Sequence, residues 1–396
     1  MLCTSQLLFD DGAGALGAQQ VLLPEMLNRD HGERANGLRL FALCERRRWF
    51  GAGPTQYIAG MRAFPFHRSG FLTLALLVWG LASAVVAAPQ VLDLDWKDGA
   101  RDRVVPLKVR VGEGDGKLPV VLFSHGLGGS REGGKAWGEH WAAHGYLVIH
   151  VQHPGSDDML WRGAGDGTPK QRLARGATPE QLLGRVDDIR FVLDELTRQQ
   201  GKADAATWIR RADLTRIAMT GHSFGALTTM ALADARYPGP IKSLADPRIS
   251  AFIAFSPSVQ GLKRSWPERY GQMTKPFLTV TGTIDGDVMG VGSTPAKRAA
   301  LFDAQPEGHA YRVVFNDGDH AVFGGGDRRD GVWMQWIADE RRDATSSDTF
   351  KSIQDKTRSL TLKFLDAWLR QDAAAKRWLA ADAAALLGDV GEWSAK

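Results

Sequence analysis

The chain has 396 residues, of which 44% are hydrophobic and 24% charged, and its formal net charge at pH 7 is +4. This composition is ordinary for a globular protein and sufficient for a large core. The sequence has no basic stripe, run of like charge, internal repeat or low-complexity tract, which argues against a nucleic-acid-binding or repeat protein.

The first ninety residues lie outside the predicted core. Residues 61–88 begin with a short basic segment, continue with an apolar run and end in small residues, which is the layout of a secretory signal peptide. Residues 1–60 show no sustained apolar period, and we interpret them as a non-native or disordered extension upstream of a true start at Met61. The alternative is a cytoplasmic extension on an apolar segment that stays uncleaved in the membrane.

Cysteine usage agrees with export. Cys3 and Cys44, the two cysteines of the chain, precede the signal-like segment. The mature chain would therefore form no disulfide, and it needs none at this size. We predict one exported domain, residues 89–396, that is periplasmic or secreted and has no stable membrane insertion after cleavage. An uncleaved segment would instead leave the domain anchored to the membrane.

From residue 91 the sequence alternates predicted strands with predicted helices. This pattern indicates an α/β fold with a mostly parallel central sheet, an antiparallel start and helices on both faces. The predicted strands, an antiparallel pair followed by parallel ones, are 91–96, 104–111, 119–124, 146–151, 216–220, 250–255, 277–281 and 311–315. Apolar residues at near-helical spacing predict a last helix over 348–370.

A glycine-rich loop follows the first predicted parallel strand. The loop, residues 125–129, reads H-G-L-G-G. Such a loop after an early strand can present a backbone N–H to an oxyanion.

Two irregular stretches, 157–178 and 257–274, interrupt the regular alternation. Both follow the carboxyl ends of predicted strands, where ligands of α/β sheets bind. We expect them to form the rim of a pocket, with Trp161, Ser256 and Trp266 as candidate substrate-binding residues. For the two tryptophans, packing in the core is the alternative.

The pentapeptide Gly221–Gly225 reads G-H-S-F-G and stands between an apolar run and a helical pattern. A serine at the apex of such a strand–turn–helix has a strained backbone and close neighbours, which explains the flanking glycines. The geometry exposes the hydroxyl of Ser223, and the next N–H lies at a helix N-terminus. The alternative is an ordinary serine that caps its own helix.

An acid and a base follow in the order that an α/β-hydrolase triad requires. A predicted strand ends in a turn that carries Asp285 and Asp287, and a later strand ends at His320. Either aspartate could orient the imidazole, although Asp285 has the expected position. His309 is the rival base, but it stands at the start of a strand, away from the site.

The loop 125–129 and the pentapeptide Gly221–Gly225 together resemble the α/β-hydrolases related to dienelactone hydrolase. Within them, the sequence is most similar to the serine-nucleophile branch that includes platelet-activating-factor acetylhydrolases and cutinase-like polyester-cleaving enzymes. The resemblance covers about residues 90–370. Dienelactone hydrolase itself uses a cysteine, so its substrate does not carry over. The resemblance implies these roles: Ser223 nucleophile, Asp285 acid, His320 base, and the N–H groups of Leu127 and Phe224 as the oxyanion hole.

These features predict a serine hydrolase that cleaves a small-molecule or lipid-like carboxylic ester through an acyl-enzyme, without a cofactor. An amide or thioester hydrolase with the same triad is the alternative, followed by a catalytically idle binding protein. No metal is predicted, because the Asp285 turn lacks further spaced oxygen ligands and the histidines lack a metal-binding spacing. His125, His153 and His222 are interpreted as structural.

Overall fold

The computed structural model describes residues 90–163, 165–237, 243–259, 265–287, 292–326 and 345–396. The predicted N-terminal extension (1–60) and signal peptide (61–88) lie outside these ranges. Within them, no helix combines the length and the apolar character that crossing a bilayer requires.

The described strands form one sheet in the order β1-β2-β4-β3-β5-β6-β7-β8-β9. The five pairings among β4, β3, β5, β6, β7 and β8 are parallel, whereas β1, β2 and β9 join the sheet antiparallel to their neighbours. The strands are β1 (Gln90–Asp98), β2 (Arg103–Val111), β3 (Leu118–Ser124), β4 (Leu147–Val151), β5 (Ala212–His222), β6 (Ile249–Phe255), β7 (Phe277–Ile284), β8 (Ala310–Asp319) and β9 (Gly391–Ala395).

The burial of the strands follows their position in the sheet. Both β3 and β4 are buried along their whole length, as expected for parallel strands that are covered on both faces. In the edge strand β1, exposed residues alternate with half-buried ones over most of its length, which is the two-residue period of a strand that is covered on one face.

Helices cover both faces of the sheet. One apolar cluster joins the sheet to α3, α4, α5, α6 and α7, and a second joins the opposite face to α1, α9, α10 and α11. The described helices are α1 (Lys135–Ala143), α2 (Met159–Arg162), α3 (Pro169–Arg175), α4 (Pro179–Gln200), α5 (Thr207–Arg211), α6 (Phe224–Leu232), α7 (Trp266–Tyr270), α8 (Pro295–Ala300), α9 (Ser347–Leu369), α10 (Ala373–Ala381) and α11 (Ala383–Leu387), with 3-10 turns at Val322–Gly324 and Gly388–Val390.

The order of the strands indicates where a ligand would bind, namely at the carboxyl ends of the central strands. Strand β3 lies between β4 and β5. The chain therefore passes from β3 to its neighbour β4 on one side and later forms β5 on the other side of β3. The carboxyl ends of strands at such a reversal form a crevice that commonly holds the ligand of an α/β protein. The loop 125–129 follows β3, and Ser223 follows β5.

The predicted α/β-hydrolase fold is confirmed, with its antiparallel start, its parallel strands and its last long helix. The two irregular stretches contain short helices: α2 and α3 lie within 157–178, and α7 lies within 257–274, of which 260–264 is outside the described residues. Strand β9 and the helices α10 and α11 were not predicted.

Candidate active site

Ser223 is the single residue between β5 and α6, and its backbone is strained. Its φ of 55° and ψ of −112° lie outside the regions that L-residues favour, which is the geometry of a nucleophile elbow. The N–H of Ser223 donates to the carbonyl of Phe255 at 2.9 Å and thereby ties the elbow to the end of β6. The residue is half-buried, unlike its buried neighbours His222 and Phe224.

Close backbone contacts explain the two glycines of the pentapeptide. A Cβ on Gly225 would lie 1.9 Å from the carbonyl oxygen of Ser124 and 2.8 Å from that of His125. A Cβ on Gly221 would lie 2.3 Å from the carbonyl oxygen of Gly225. Only glycine leaves room for β5, α6 and the end of β3 to approach this closely.

His320 and Asp285 are joined directly. The Nδ1–H of His320, at the end of β8, donates to Oδ1 of Asp285 at 2.7 Å, and both residues are buried. The hydroxyl of Thr281 donates to the other carboxylate oxygen at 2.8 Å. With its proton on Nδ1, the ring has a lone pair on Nε2, which has no hydrogen-bond partner among the described residues. No hydrogen bond joins Nε2 to the Ser223 hydroxyl.

The two aspartates of the turn differ in their contacts. The carboxylate of Asp285 contacts His320, whereas the carboxylate of Asp287 accepts a hydrogen bond from the backbone N–H of Gly292. Of the two aspartates between which the sequence leaves the choice open, Asp285 is the one that bonds the imidazole.

Arg298 is a buried partner of Asp285 that the sequence did not reveal. Its Nε lies 3.2 Å from Oδ1 of Asp285 and donates to the backbone carbonyl of the same residue at 3.1 Å. Its Nη1 donates to the carbonyls of Ser256 and Pro257 at 2.9 and 2.7 Å. Burial by itself would raise the pKa of Asp285, but the Arg298 charge and then His320 hold it below its usual value.

His222 supports the backbone of His320. Its Nε2–H donates to the His320 carbonyl at 3.0 Å, and the two ring centroids are 4.7 Å apart. Burial, with a smaller contribution from the neighbouring His320, lowers the pKa of His222 to about 3, so this imidazole is neutral. These contacts agree with the structural role predicted for it.

The loop 125–129 lies beside the elbow. A Cβ on Gly126 would be 3.5 Å from the Cβ of Ser223. The loop is shaped by two backbone hydrogen bonds, from Gly128 N to Ser156 O at 2.9 Å and from Gly129 N to Gly126 O at 3.0 Å. The N–H groups of Leu127 and Phe224 donate to no acceptor among the described residues.

A second serine–histidine–aspartate chain lies beneath this loop. The Ser124 hydroxyl bonds Nε2 of His153 at 2.9 Å, and Nδ1 of His153 bonds Oδ2 of Asp188 at 3.0 Å. All three residues have no exposed surface. Burial lowers the pKa of His153 to about 4 despite the opposing effect of Asp188. An ester cannot reach the Ser124 hydroxyl in this arrangement, so the chain is a structural network.

The sequence did not reveal this network or the buried arginines. Charged side chains on helices are usually exposed, and nothing in the pattern of α4 marks Arg185 and Asp188 as fully buried. The sequence predicted His153 as structural but did not identify its partners.

The three candidate substrate-binding residues have different surroundings. Trp161 is half-buried, and its Nε1–H donates to the carbonyl of Gly128 at 2.7 Å. Ser256 is fully buried beside Arg298. Trp266 begins α7 and packs edge-on against Tyr270, with ring centroids 5.9 Å apart. Of the three, Trp161 is the one that bonds to the loop beside Ser223.

Comparisons with known proteins give a match to one segment of the chain and to a solved structure. The model of the family "Platelet-activating factor acetylhydrolase, isoform II" matches residues 101–159, the segment that contains β2, β3, the loop 125–129 and β4. No curated protein matches the chain. Among solved structures, a ferulic acid esterase from Streptomyces cinnamoneus is 18% identical with a TM-score of 0.49, and the match covers 72% of this chain and 90% of that one. The order of the strands and the elbow at Ser223 make the protein an α/β-hydrolase by fold, and its segment 101–159 is similar to the acetylhydrolase family.

Proposed function

We propose that the protein is a serine hydrolase that cleaves carboxylic esters. The observation that carries the proposal is the strained Ser223 elbow, together with the hydrogen-bonded His320–Asp285 pair and the backbone N–H groups of Leu127 and Phe224, which lack an acceptor among the described residues. Similarity to acetylhydrolases over residues 101–159 supports an ester as the substrate. Amide or thioester hydrolysis by the same groups is the second candidate.

In the proposed mechanism, Nε2 of His320 takes the hydroxyl proton of Ser223 as the oxygen attacks the ester carbonyl. Asp285 holds the ring by its Nδ1–H and stabilises the imidazolium. The N–H groups of Leu127 and Phe224 bind the oxyanion of the tetrahedral intermediate. His320 then protonates the leaving alcohol, and water activated by the same ring releases the acyl group from Ser223.

A fluorophosphonate probe and peptide mapping test this assignment. Trypsin separates the two serine–histidine–aspartate chains, because Ser124 falls between Lys117 and Arg131 and Ser223 between Arg216 and Arg236. We expect one phosphonyl adduct, on Ser223 of the wild-type enzyme. The Ser223→Ala variant should be neither labelled nor able to hydrolyse an ester, whereas the Ser124→Ala control should still be labelled on Ser223. An adduct on Ser124, or hydrolysis that survives Ser223→Ala, would refute the mechanism.

The acyl group is best identified with p-nitrophenyl esters of increasing chain length, beside a matched anilide. Ester turnover with little anilide turnover supports an esterase. A preference for acetate supports an acetylhydrolase-like enzyme, and activity that rises with chain length supports a lipase. We expect Trp161, Ser256 and Trp266 to influence this preference through the rim segments, and variants of each would show the effect as a changed ratio of kcat/KM values.

We also propose that the enzyme acts after export to the periplasm or the medium. The support is the basic–apolar–small pattern of residues 61–88. N-terminal sequencing of the mature protein tests this proposal. A start near residue 89 supports it, and an intact upstream sequence in the mature protein contradicts it.

A further inference from the structure

Arg185 is a buried cation behind the loop 125–129. It lies on α4 with no exposed surface and forms no ion pair with a described residue. The nearby carboxylate of Asp188 is already engaged by Arg101 and Arg103, at 2.9 and 2.8 Å. Burial lowers the pKa of Arg185 to about 9, which still leaves the guanidinium positively charged at neutral pH.

The hydrogen bonds of Arg185 hold the loop in place. Its Nη1 donates to the carbonyl of His125 at 2.7 Å, and its Nη2 makes a longer contact of 3.5 Å with the carbonyl of Gly126. Its Nε donates to the hydroxyl of Ser156 at 2.8 Å, and Nη2 reaches the Ser156 carbonyl at 3.3 Å. The same carbonyl accepts the N–H of Gly128. One guanidinium therefore joins the loop to the segment after β4.

The Gly126 carbonyl belongs to the same peptide unit as the Leu127 N–H. This oxygen accepts hydrogen bonds from Nδ1 of His125 at 2.6 Å and from Gly129 N at 3.0 Å, in addition to the Arg185 contact. Donors on a carbonyl polarise its amide and strengthen the N–H on the other side. The peptide that carries the first proposed oxyanion donor is thus both oriented and polarised.

The side chain of Phe224, whose backbone N–H is the second proposed donor, also contacts Arg185. The guanidinium carbon of Arg185 lies 4.3 Å from the ring centroid of Phe224, within the range of a cation–π contact. Phe224 begins α6 directly after Ser223. The same cation therefore contacts the peptide of the first donor, through the Gly126 carbonyl, and the side chain of the residue that carries the second donor.

We propose that Arg185 is the positioning residue of the oxyanion hole: it fixes the Leu127 peptide, packs against the Phe224 side chain and adds a buried positive charge behind both donors. The inference rests on the proposed function of Ser223. Because negative charge develops on the carbonyl oxygen only as the tetrahedral intermediate forms, loss of Arg185 lowers kcat while KM changes little.

The experiment compares Arg185→Met and Arg185→Lys with the wild-type enzyme. The measurements are kcat, KM and the inhibition constant of a trifluoromethyl ketone, which forms an anionic tetrahedral adduct with a reactive serine. We expect kcat of Arg185→Met to fall about 10²-fold, with a matching loss of ketone affinity. Arg185→Lys, which keeps the charge but not the forked geometry, lies in between.

Arg110→Met is the matched control, since Arg110 is also buried but lies on β2 and approaches Glu139 of α1. We expect its kcat to stay at the wild-type value. Wild-type kcat and ketone affinity in either folded Arg185 variant, or equal losses in Arg185→Met and Arg110→Met, overturn the inference. If Ser223→Ala retains hydrolysis, the proposed function itself fails, which separates the two outcomes.

Discussion

Arg298 and His320 meet on the same oxygen of Asp285. The Arg298 Nε lies 3.2 Å from Oδ1 and the His320 Nδ1 lies 2.7 Å from it. The carboxylate therefore divides its negative charge between a permanent cation and a ring that becomes cationic in the proposed mechanism. In this arrangement Arg298 limits how strongly Asp285 can stabilise the imidazolium.

Replacement of Arg298 by glutamine is expected to move the acid limb of the pH profile of kcat/KM to higher pH. Without the guanidinium, the Asp285 carboxylate has one positive partner fewer and interacts more strongly with the imidazolium, so activity is lost at a higher pH on acidification. The expected displacement is about 1 pH unit. Arg298→Lys, which keeps the charge, should stay closer to the wild-type profile. An unchanged profile in a folded Arg298→Gln variant, or a displacement to lower pH, would contradict this role.

Asp285→Asn and Asp287→Asn form a matched pair in one turn. We expect Asp285→Asn to reduce kcat by about 10³- to 10⁴-fold, because the amide favours the wrong tautomer of His320. Asp287→Asn should keep most of its activity, since its carboxylate bonds Gly292 and not the imidazole. Steady-state kinetics at neutral pH separate the two variants. Comparable losses in both would remove the assignment of Asp285 as the acid.

Gly225→Ala is expected to destabilise the fold by about 3 kcal/mol or more. The new Cβ would lie 1.9 Å from the Ser124 carbonyl oxygen, which is backbone and cannot rotate away. Gly184→Ala on α4 is the control, since its Cβ would have no neighbour within 4 Å. That change should stabilise the protein by about 0.5–1 kcal/mol. Urea unfolding measures both, and equal stability of the two variants would disprove the steric account.

Stability is expected to fall as the pH drops from about 6.5 towards 4. The upper limit is the ordinary pKa of histidine, and the lower limit is the lowered pKa of a buried histidine. Burial lowers the pKa of His150 to about 3 and of His153 to about 4. The unfolded chain therefore binds protons that these folded-state rings do not. Their contribution is complete above the ordinary pKa and is lost progressively below it.

His150→Gln tests this account through a slope. A ring that titrates only in the unfolded state contributes about 1.4 kcal/mol per pH unit to the dependence of unfolding free energy on pH. The variant should lose one such contribution between pH 6 and 4, whatever its stability at pH 7. Urea unfolding across this range gives the slopes. Identical slopes for the variant and the wild type would show that His150 is not buried as a neutral ring.

The sequence was sufficient for the parts of the protein that depend on local pattern. The alternation of strands and helices predicted the sheet, and the position of Ser223 between an apolar run and a helix predicted the elbow. Strand β9 escaped prediction because the short segment G-E-W-S-A has no clear strand period. Its pairing with β8 is set by tertiary contact.

The buried charges could not be predicted for a different reason. Arg298 and Arg185 lie on helices with the composition of ordinary surface helices, and their burial depends on carbonyls from distant segments. The choice between Asp285 and Asp287 likewise depends on which carboxylate faces the end of β8. These contacts form only when segments that are distant in the sequence come together. The motifs of the candidate site could therefore be predicted, but the buried residues that hold them in place could not.

The contacts of Gly225 have a consequence for transplanting this chemistry. Its neighbours are the carbonyl oxygens of Ser124 and His125, at the end of the strand that leads into the loop 125–129. No exchange of side chains elsewhere can relieve a clash with backbone. An elbow grafted into another protein would therefore fit only together with the end of β3 and the loop 125–129. A recombination point between this loop and the elbow would separate segments that must be exchanged as one.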